Sequence, residues 1–223
     1  MAEPFRVAAI CTIYYAHSHA DAIVTKFLKG MSIDEGFYPP EVEVVSLYID
    51  HVLDTDIGTA MAAECGVPIY PSIRRALHAG GDSLGVDAVL LIGEHGDYPW
   101  NERGRHMYPR RYFFEQIAGI FAASGRSVPV FNDKHFAYSW DDARWMWDRA
   151  AELDIPLMAG SCLPLAWRRP WLEHDKGVVI DEAVAVGYGG IEAYGYHTLE
   201  TLQCMVERRA RGESGIVSVQ CLE

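Results

Sequence analysis

Residues 125–161 read GRSVPVFNDKHFAYSWDDARWMWDRAAELDIPLMAGS. Ser127 to Asn132 is a short apolar, β-branched run, Trp140 to Leu153 repeats apolar residues at helical spacing, and Ile155 to Ala159 is a second apolar run closed by Gly160. Two strands joined by a covering helix lie parallel, with a right-handed crossover. Open parallel sheets place their ligands at the carboxyl ends of strands, and at that end of the first strand stand Asp133, Lys134 and His135. A lysine between an acid and an imidazole can hold a substrate hydroxyl there, or give and take its proton. The plainer alternative is a surface lysine capping a loop, since most lysines are exposed.

Upstream, the same alternation of strand and helix repeats. Phe5 to Tyr14 (FRVAAICTIY) has the composition of a buried first strand, and a helix is expected over Ala20 to Leu28, with Ser18 or Asp21 near its start. A loop covers Gly30 to Pro40, a second strand Val42 to Tyr48, and a helix Thr55 to Cys65 is stopped by Gly66. Val67 to Tyr70 is a short extended piece, Ser72 to Ala79 a helix, and Val86 to Ile92 (VDAVLLI) a strongly apolar strand. Gly93 to Tyr112 is long, polar and aromatic, and precedes a helix at Phe113 to Ala123; loops of that length tend to be functional. Residues 1–161 therefore predict a Rossmann-like, doubly wound parallel α/β sheet. Residues 162–223 predict a short or truncated α+β domain for substrate binding or dimerisation, with strands at Val178 to Val186 and Ile216 to Leu222 and a helix ending near Arg209.

Composition narrows the function classes. Among 223 residues half are apolar, which suffices for a sizeable core, and the net charge is −12. Nucleic acid and anionic membrane both require a basic face, so neither is an expected partner. No apolar run reaches the length of a membrane span. Five scattered cysteines with no C-x-x-C pair point to a reduced, cytoplasmic setting. Trp140, Trp145 and Trp147 on one helix imply core or subunit contact, and a homo-oligomer is expected.

The run acid-Lys, then a helix opening Trp140-Asp141-Asp142-Ala143, then Ile155-Pro156-Leu157-Met158-Ala159-Gly160, resembles the Gfo/Idh/MocA oxidoreductase family. Its acid-Lys-Pro motif stands here as Asp133-Lys134-His135. Gly189-Gly190 followed by Gly195 and His197 resembles the substrate site of that family's second domain, with Ala193 where the family has aspartate and Glu192 beside it. The resemblance implies a dehydrogenase acting on a sugar-like, polyol or hydroxy-acid substrate, with Lys134, His95 and His197 as catalytic residues. It implies NAD or NADP as cofactor, held near Thr12, Tyr14 and Glu94, and substrate contacts from Asp133, His135, Arg105 and Glu192. One departure stands out. A dinucleotide turn carries G-x-G-x-x-G so that backbone can approach the pyrophosphate, whereas Cys11 to His19 (CTIYYAHSH) contains no glycine.

That departure leaves a second reading, an enzyme on the same scaffold that uses acids and imidazoles without a dinucleotide. His17 and His19 form H-x-H, a spacing that aims two imidazoles at one zinc or manganese ion if the backbone is extended. Together with Glu94, His95, Asp133 and His135 they would serve a metal-dependent or acid–base isomerase, lyase or hydrolase. Nine histidines in the chain also scatter onto loops by chance. Arg103, Arg105, His106, Arg110 and Arg111 form a basic stretch on an acidic chain, suited either to an anionic substrate or to pairing with the chain's own acids.

Overall fold

A computed structural model describes residues 4–211 and 213–222. The chain divides into two compact units, Met1–Gly160 and Ser161–Glu223.

The first unit is built on β1 (Phe5–Cys11), β4 (Val42–Ile49), β5 (Ala88–Ile92), β6 (Val130–Asp133) and β7 (Leu157–Gly160), all parallel, in the order β4-β1-β5-β6-β7. The helices are α1 (His19–Lys29), α2 (Gly58–Cys65), α3 (Ile73–His78), α4 (Arg110–Ser124) and α5 (Trp140–Glu152). Strand residues alternate in direction, which explains the near-continuous apolar runs: both faces are covered. Ala8 and Ile10 of β1, with Val89 and Leu91 of β5, pack beneath α3, α4 and α5. Val7, Ala9 and Cys11, with Leu90 and Ile92, pack on the opposite face against α1 and α2.

The piece expected at Val67 to Tyr70 turns out to be the remnant of a sixth strand. Ile69 bridges Leu47 in parallel, through Leu47 N–H to Pro68 O at 3.0 Å and Tyr70 N–H to Leu47 O at 2.8 Å. With that bridge counted, the order of parallel elements becomes the 3-2-1-4-5-6 of a Rossmann sheet. The order reverses between β1 and β5, so the crevice where such sheets bind ligands opens at the carboxyl ends of those two strands.

Two expectations need correction. The loop at Gly30 to Pro40 contains a small antiparallel hairpin, β2 (Met31–Ile33) with β3 (Gly36–Tyr38). In the second unit, the expected strands at Val178 to Val186 and Ile216 to Leu222 do not form; among the described residues Val178 makes a single bridge to Arg209. Their side chains explain why: Val184, Val186, Val217 and Val219 are all more than four-fifths exposed. A strand-like composition is stabilised only by a partner ladder and a covered face. The regular elements of that unit are a short 3₁₀ turn at Leu163–Leu165 and α6 (Ile191–Val206).

Candidate functional site at the strand ends

Two neighbouring strands deliver charge to one rim. Asp133 ends β6 and is 2% exposed, Lys134 follows it, and Glu94 stands two residues past β5. Lys134 Nζ donates to Glu94 Oε1 at 3.0 Å, and Arg110, 1% exposed at the start of α4, donates from Nη2 to Glu94 Oε2. One carboxylate therefore lies between two cations, largely out of water. Burial alone would raise the Glu94 carboxyl; the charges of Arg110 and Lys134, with His19 beyond, outweigh it and hold Glu94 below the usual carboxylate range. Gly93 makes the arrangement possible, since a Cβ there would meet Arg110 Cγ at 2.6 Å.

A second pair sits alongside. His19 Nδ1 and Asp133 Oδ2 are 2.6 Å apart, and the His95 ring meets His19 edge-on with centroids 5.2 Å apart. Burial, partly opposed by Glu94, lowers the His95 imidazole. His135 is pushed down to about 4, by burial first and by Arg110 next, so its ring is neutral at neutral pH.

The backbone at this rim is unusual. His17 (φ 68°), His95 (φ 66°) and Lys134 (φ 63°) adopt the left-handed conformation after β1, β5 and β6 in turn. Non-glycine residues there cost on the order of 1 kcal/mol or more each. Lys134 is held in it by its N–H donating to Gly160 O at 2.8 Å, beyond the end of the β6–β7 ladder.

Other sequence candidates fall differently. His17 is exposed, and its left-handed backbone, followed by Ser18 as N-cap and His19 as the first residue of α1, is not the extended H-x-H geometry that would aim both imidazoles at one metal. Among the described residues no group of three or more His, Cys, Asp or Glu side chains is disposed to hold a metal ion. Thr12 and Tyr14, expected near a cofactor, are both fully buried. Thr12 Oγ1 donates to Glu94 O at 2.7 Å and so braces the rim from beneath, while the Tyr14 hydroxyl lies 2.8 Å from Thr25 Oγ1 within the core. Arg105 Nη1 donates to Tyr138 O at 2.9 Å, and Arg111 pairs with Glu115 at 2.6 Å and stacks on Trp145. The basic stretch is thus engaged with the chain's own groups at Arg105, Arg110 and Arg111. His197 and Glu192 belong to the second unit: His197 Nδ1 lies 3.5 Å from both Glu200 Oε2 and Ser161 Oγ, and Glu192 occupies the first turn of α6.

Asp50 was not singled out by its sequence. It follows β4, where Rossmann folds carry the acid that binds a ribose hydroxyl, and an acid closing the second strand was the available signal. Here its two oxygens accept from the Tyr48 hydroxyl at 2.5 Å and the Tyr98 hydroxyl at 2.7 Å, and Tyr98 stacks on His51 with centroids 4.6 Å apart. Burial and the neighbouring carboxylate raise both phenols, which stay protonated as donors.

The β1–α1 turn does not fit a pyrophosphate in the glycine-rich manner. Cys11, Thr12, Ile13 and Tyr14 fill the space under it with buried side chains. At the α1 N-terminus, where a phosphate would seat, Asp21 already supplies a negative charge: its Oδ2 accepts from His17 N–H at 2.8 Å while its own N–H caps onto Ser18 Oγ at 3.2 Å.

A Rossmann-type α/β unit with a buried lysine, carboxylates and imidazoles at its switch point is the class of protein that fold and site define. No family model matches the chain and no curated relative matches it by sequence. Among solved structures, GenD2 from gentamicin A biosynthesis, in complex with NAD, is similar over 93% of this chain and 55% of its own, at 20% identity and a TM-score of 0.51. A super-repressor mutant of Gal80p from Saccharomyces cerevisiae matches over 73% of this chain and 35% of its own, at 15% identity and a TM-score of 0.49. The dehydrogenase MviM from Clostridium difficile matches over 73% and 40%, at 11% identity and a TM-score of 0.45. The chain thus spans between 35% and 55% of the length of these three structures. The GenD2 likeness bears out the Rossmann-like α/β fold expected from the sequence. No helix among the described residues is long and apolar enough to cross a membrane.

Proposed function

We propose that the chain is an oxidoreductase of the Gfo/Idh/MocA kind, acting on a sugar-like, polyol or hydroxy-acid molecule, with Lys134 holding a substrate hydroxyl or moving its proton. The observation that carries this reading is Lys134 itself: a lysine 9% exposed, in left-handed backbone, tied to Glu94 at the carboxyl end of β6. Structural lysines seldom occupy such a place, because burying the charge and bending the backbone both cost free energy. Glu94 keeps the ammonium aimed, and Arg110 keeps Glu94 charged and fixed. A hydroxyl arriving at Nζ would meet a donor already oriented, and its charge would stabilise an alkoxide developing on the substrate.

NAD in the GenD2 structure supports a nicotinamide dinucleotide as the redox partner; bound, it would supply the hydride acceptor. The β1–α1 turn gives that partner no glycine cradle, so the reading rests on the lysine rim and not on a pyrophosphate seat. Titration with NADH and NADPH, followed by tryptophan fluorescence and thermal melting, tests binding, and incubation of NAD⁺ or NADP⁺ with a polyol panel, in wild type and in Lys134→Met, tests turnover. Binding of a dinucleotide and lysine-dependent appearance of reduced nicotinamide are expected. No change in melting, fluorescence or nicotinamide absorbance with either dinucleotide would overturn the redox assignment.

A further inference from the structure

The acid next to Lys134 does not face the lysine's partner; its Oδ2 lies 2.6 Å from His19 Nδ1. Asp133 is 3% exposed at its side chain and the His19 side chain 29% exposed, so the carboxylate is shut in while part of the imidazole reaches solvent. With Nδ1 donating its hydrogen to Asp133, the remaining ring nitrogen, Nε2, carries the free lone pair. A carboxylate that fixes the tautomer and balances the charge of the protonated ring is the arrangement that makes a histidine a general base. The edge-on His95 ring and the Tyr15–His95 contact at 5.5 Å wall the imidazole on one side. Glu94 and Lys134 belong to the same electrostatic neighbourhood, since both bear on His95 as His19 does.

We propose that His19, oriented by Asp133, abstracts a proton from the hydroxyl-bearing carbon of an α-hydroxy carbonyl compound, with Lys134 stabilising the resulting enediolate. The idea rests on the reading of Lys134 as the residue that holds a polyol oxygen, and goes beyond it by adding an activity that needs no dinucleotide. An α-hydroxy carbonyl is also what oxidation of a polyol yields, so one rim would recognise both. The His19 Nε2 lone pair takes the carbon-bound proton. The C–H electron pair becomes the C=C bond of the enediolate, and the carbonyl π pair moves onto oxygen, opposite the Lys134 ammonium. Return of a solvent-derived proton through the imidazolium restores the carbonyl. Nothing is oxidised or reduced over the cycle.

The test is solvent exchange. The protein is incubated in heavy water with dihydroxyacetone, glyceraldehyde, fructose and glucose, and deuterium entering at the carbon beside the carbonyl is followed by proton NMR. Exchange into at least one of the four is expected, falling ~100-fold or more in His19→Asn and roughly tenfold or more in Asp133→Asn. Nitrogen-15 histidine spectra supply a readout that a merely structural Asp133 would not move: in the wild type the His19 signals report the Nδ1–H tautomer, and Asp133→Asn mixes the two tautomers. Circular dichroism checks that both variants are folded. No exchange with any of the four, or equal exchange in wild type and His19→Asn, overturns the proposal. Loss of exchange in Lys134→Met with full exchange in His19→Asn would sink the histidine and spare the lysine; full exchange in both would sink the two together.

Discussion

Replacing Glu94 by Gln tests whether the rim is held by one shared carboxylate. The substitution preserves shape. It removes the carboxylate that pairs with Arg110, which is 1% exposed at its side chain, and with Lys134, which is 11% exposed. Gln Oε1 can still accept from Lys134, but the amide nitrogen then faces the Arg110 guanidinium, donor against donor. Removing one member of a buried ion pair costs roughly 3–5 kcal/mol, because the partner's charge stays desolvated and uncompensated. In a chain of this length each kcal/mol moves the melting midpoint by roughly 2–4 °C, so a fall of roughly 6–20 °C is expected. Circular dichroism melts at neutral pH measure it, with Arg144→Gln as control: its pair with Asp148 is about half exposed on both sides, and its loss should cost less than ~0.5 kcal/mol. The sign also follows in pH. Glu94 is held below its ordinary range when folded, so its contribution is complete above the unfolded carboxylate range and is lost as pH falls through the folded value. A Glu94→Gln protein melting within the error of wild type would refute the shared-carboxylate argument.

Further outcomes are expected from neighbouring groups. His135 is neutral when folded down to about 4 but takes a proton near pH 6.5 when unfolded, so its contribution is present above 6.5 and is lost as pH falls; roughly 2 kcal/mol should go between pH 6.5 and 5, and urea titrations of His135→Asn should show a shallower decline over that window. Gly93→Ala drives a Cβ to within 2.6 Å of Arg110 Cγ and should cost about 1–3 kcal/mol in melting experiments; a neutral result would mean that the guanidinium arm is free to move. Because Lys134 has φ 63°, Lys134→Gly should be more stable than Lys134→Ala by about 1 kcal/mol, and equal stability would show that the left-handed turn carries no strain.

Much of the fold was legible because period and burial coincide. In the β6–α5–β7 unit the two apolar runs and the helical spacing of apolar residues from Trp140 to Leu153 agree with the observed elements. Glu94 and Lys134 were legible as neighbours for the same reason, since topology alone brings the ends of β5 and β6 together. Side-chain direction past a strand end was not. Whether Tyr14 points into a crevice or into the core depends on the turn that carries it, and two residues of backbone choice reverse the answer. Ser18-x-x-Asp21 was a readable cap signal that would have placed His19 on a helix and His17 outside it. Arg110 could not be told from Arg103, Arg105 or Arg111 by composition; only its position at the start of α4, under Gly93, sets it apart. The second unit was misread where valines suggested strands, because composition reports a preference for the sheet and not the presence of a partner.

The sixth parallel element, reduced to the Leu47–Ile69 bridge, bears on how the molecule behaves at high concentration. Pro68 and Pro71 flank that contact, and at the opposite border Pro156 immediately precedes β7. Proline offers no amide hydrogen to a newcomer strand, so both margins of the sheet are poor templates for cross-strand growth. Self-association of this unit would then proceed through helix surfaces, not by splicing two sheets into one, and the crowded protein should resist fibrous aggregation even though its interior is rich in strand-forming residues.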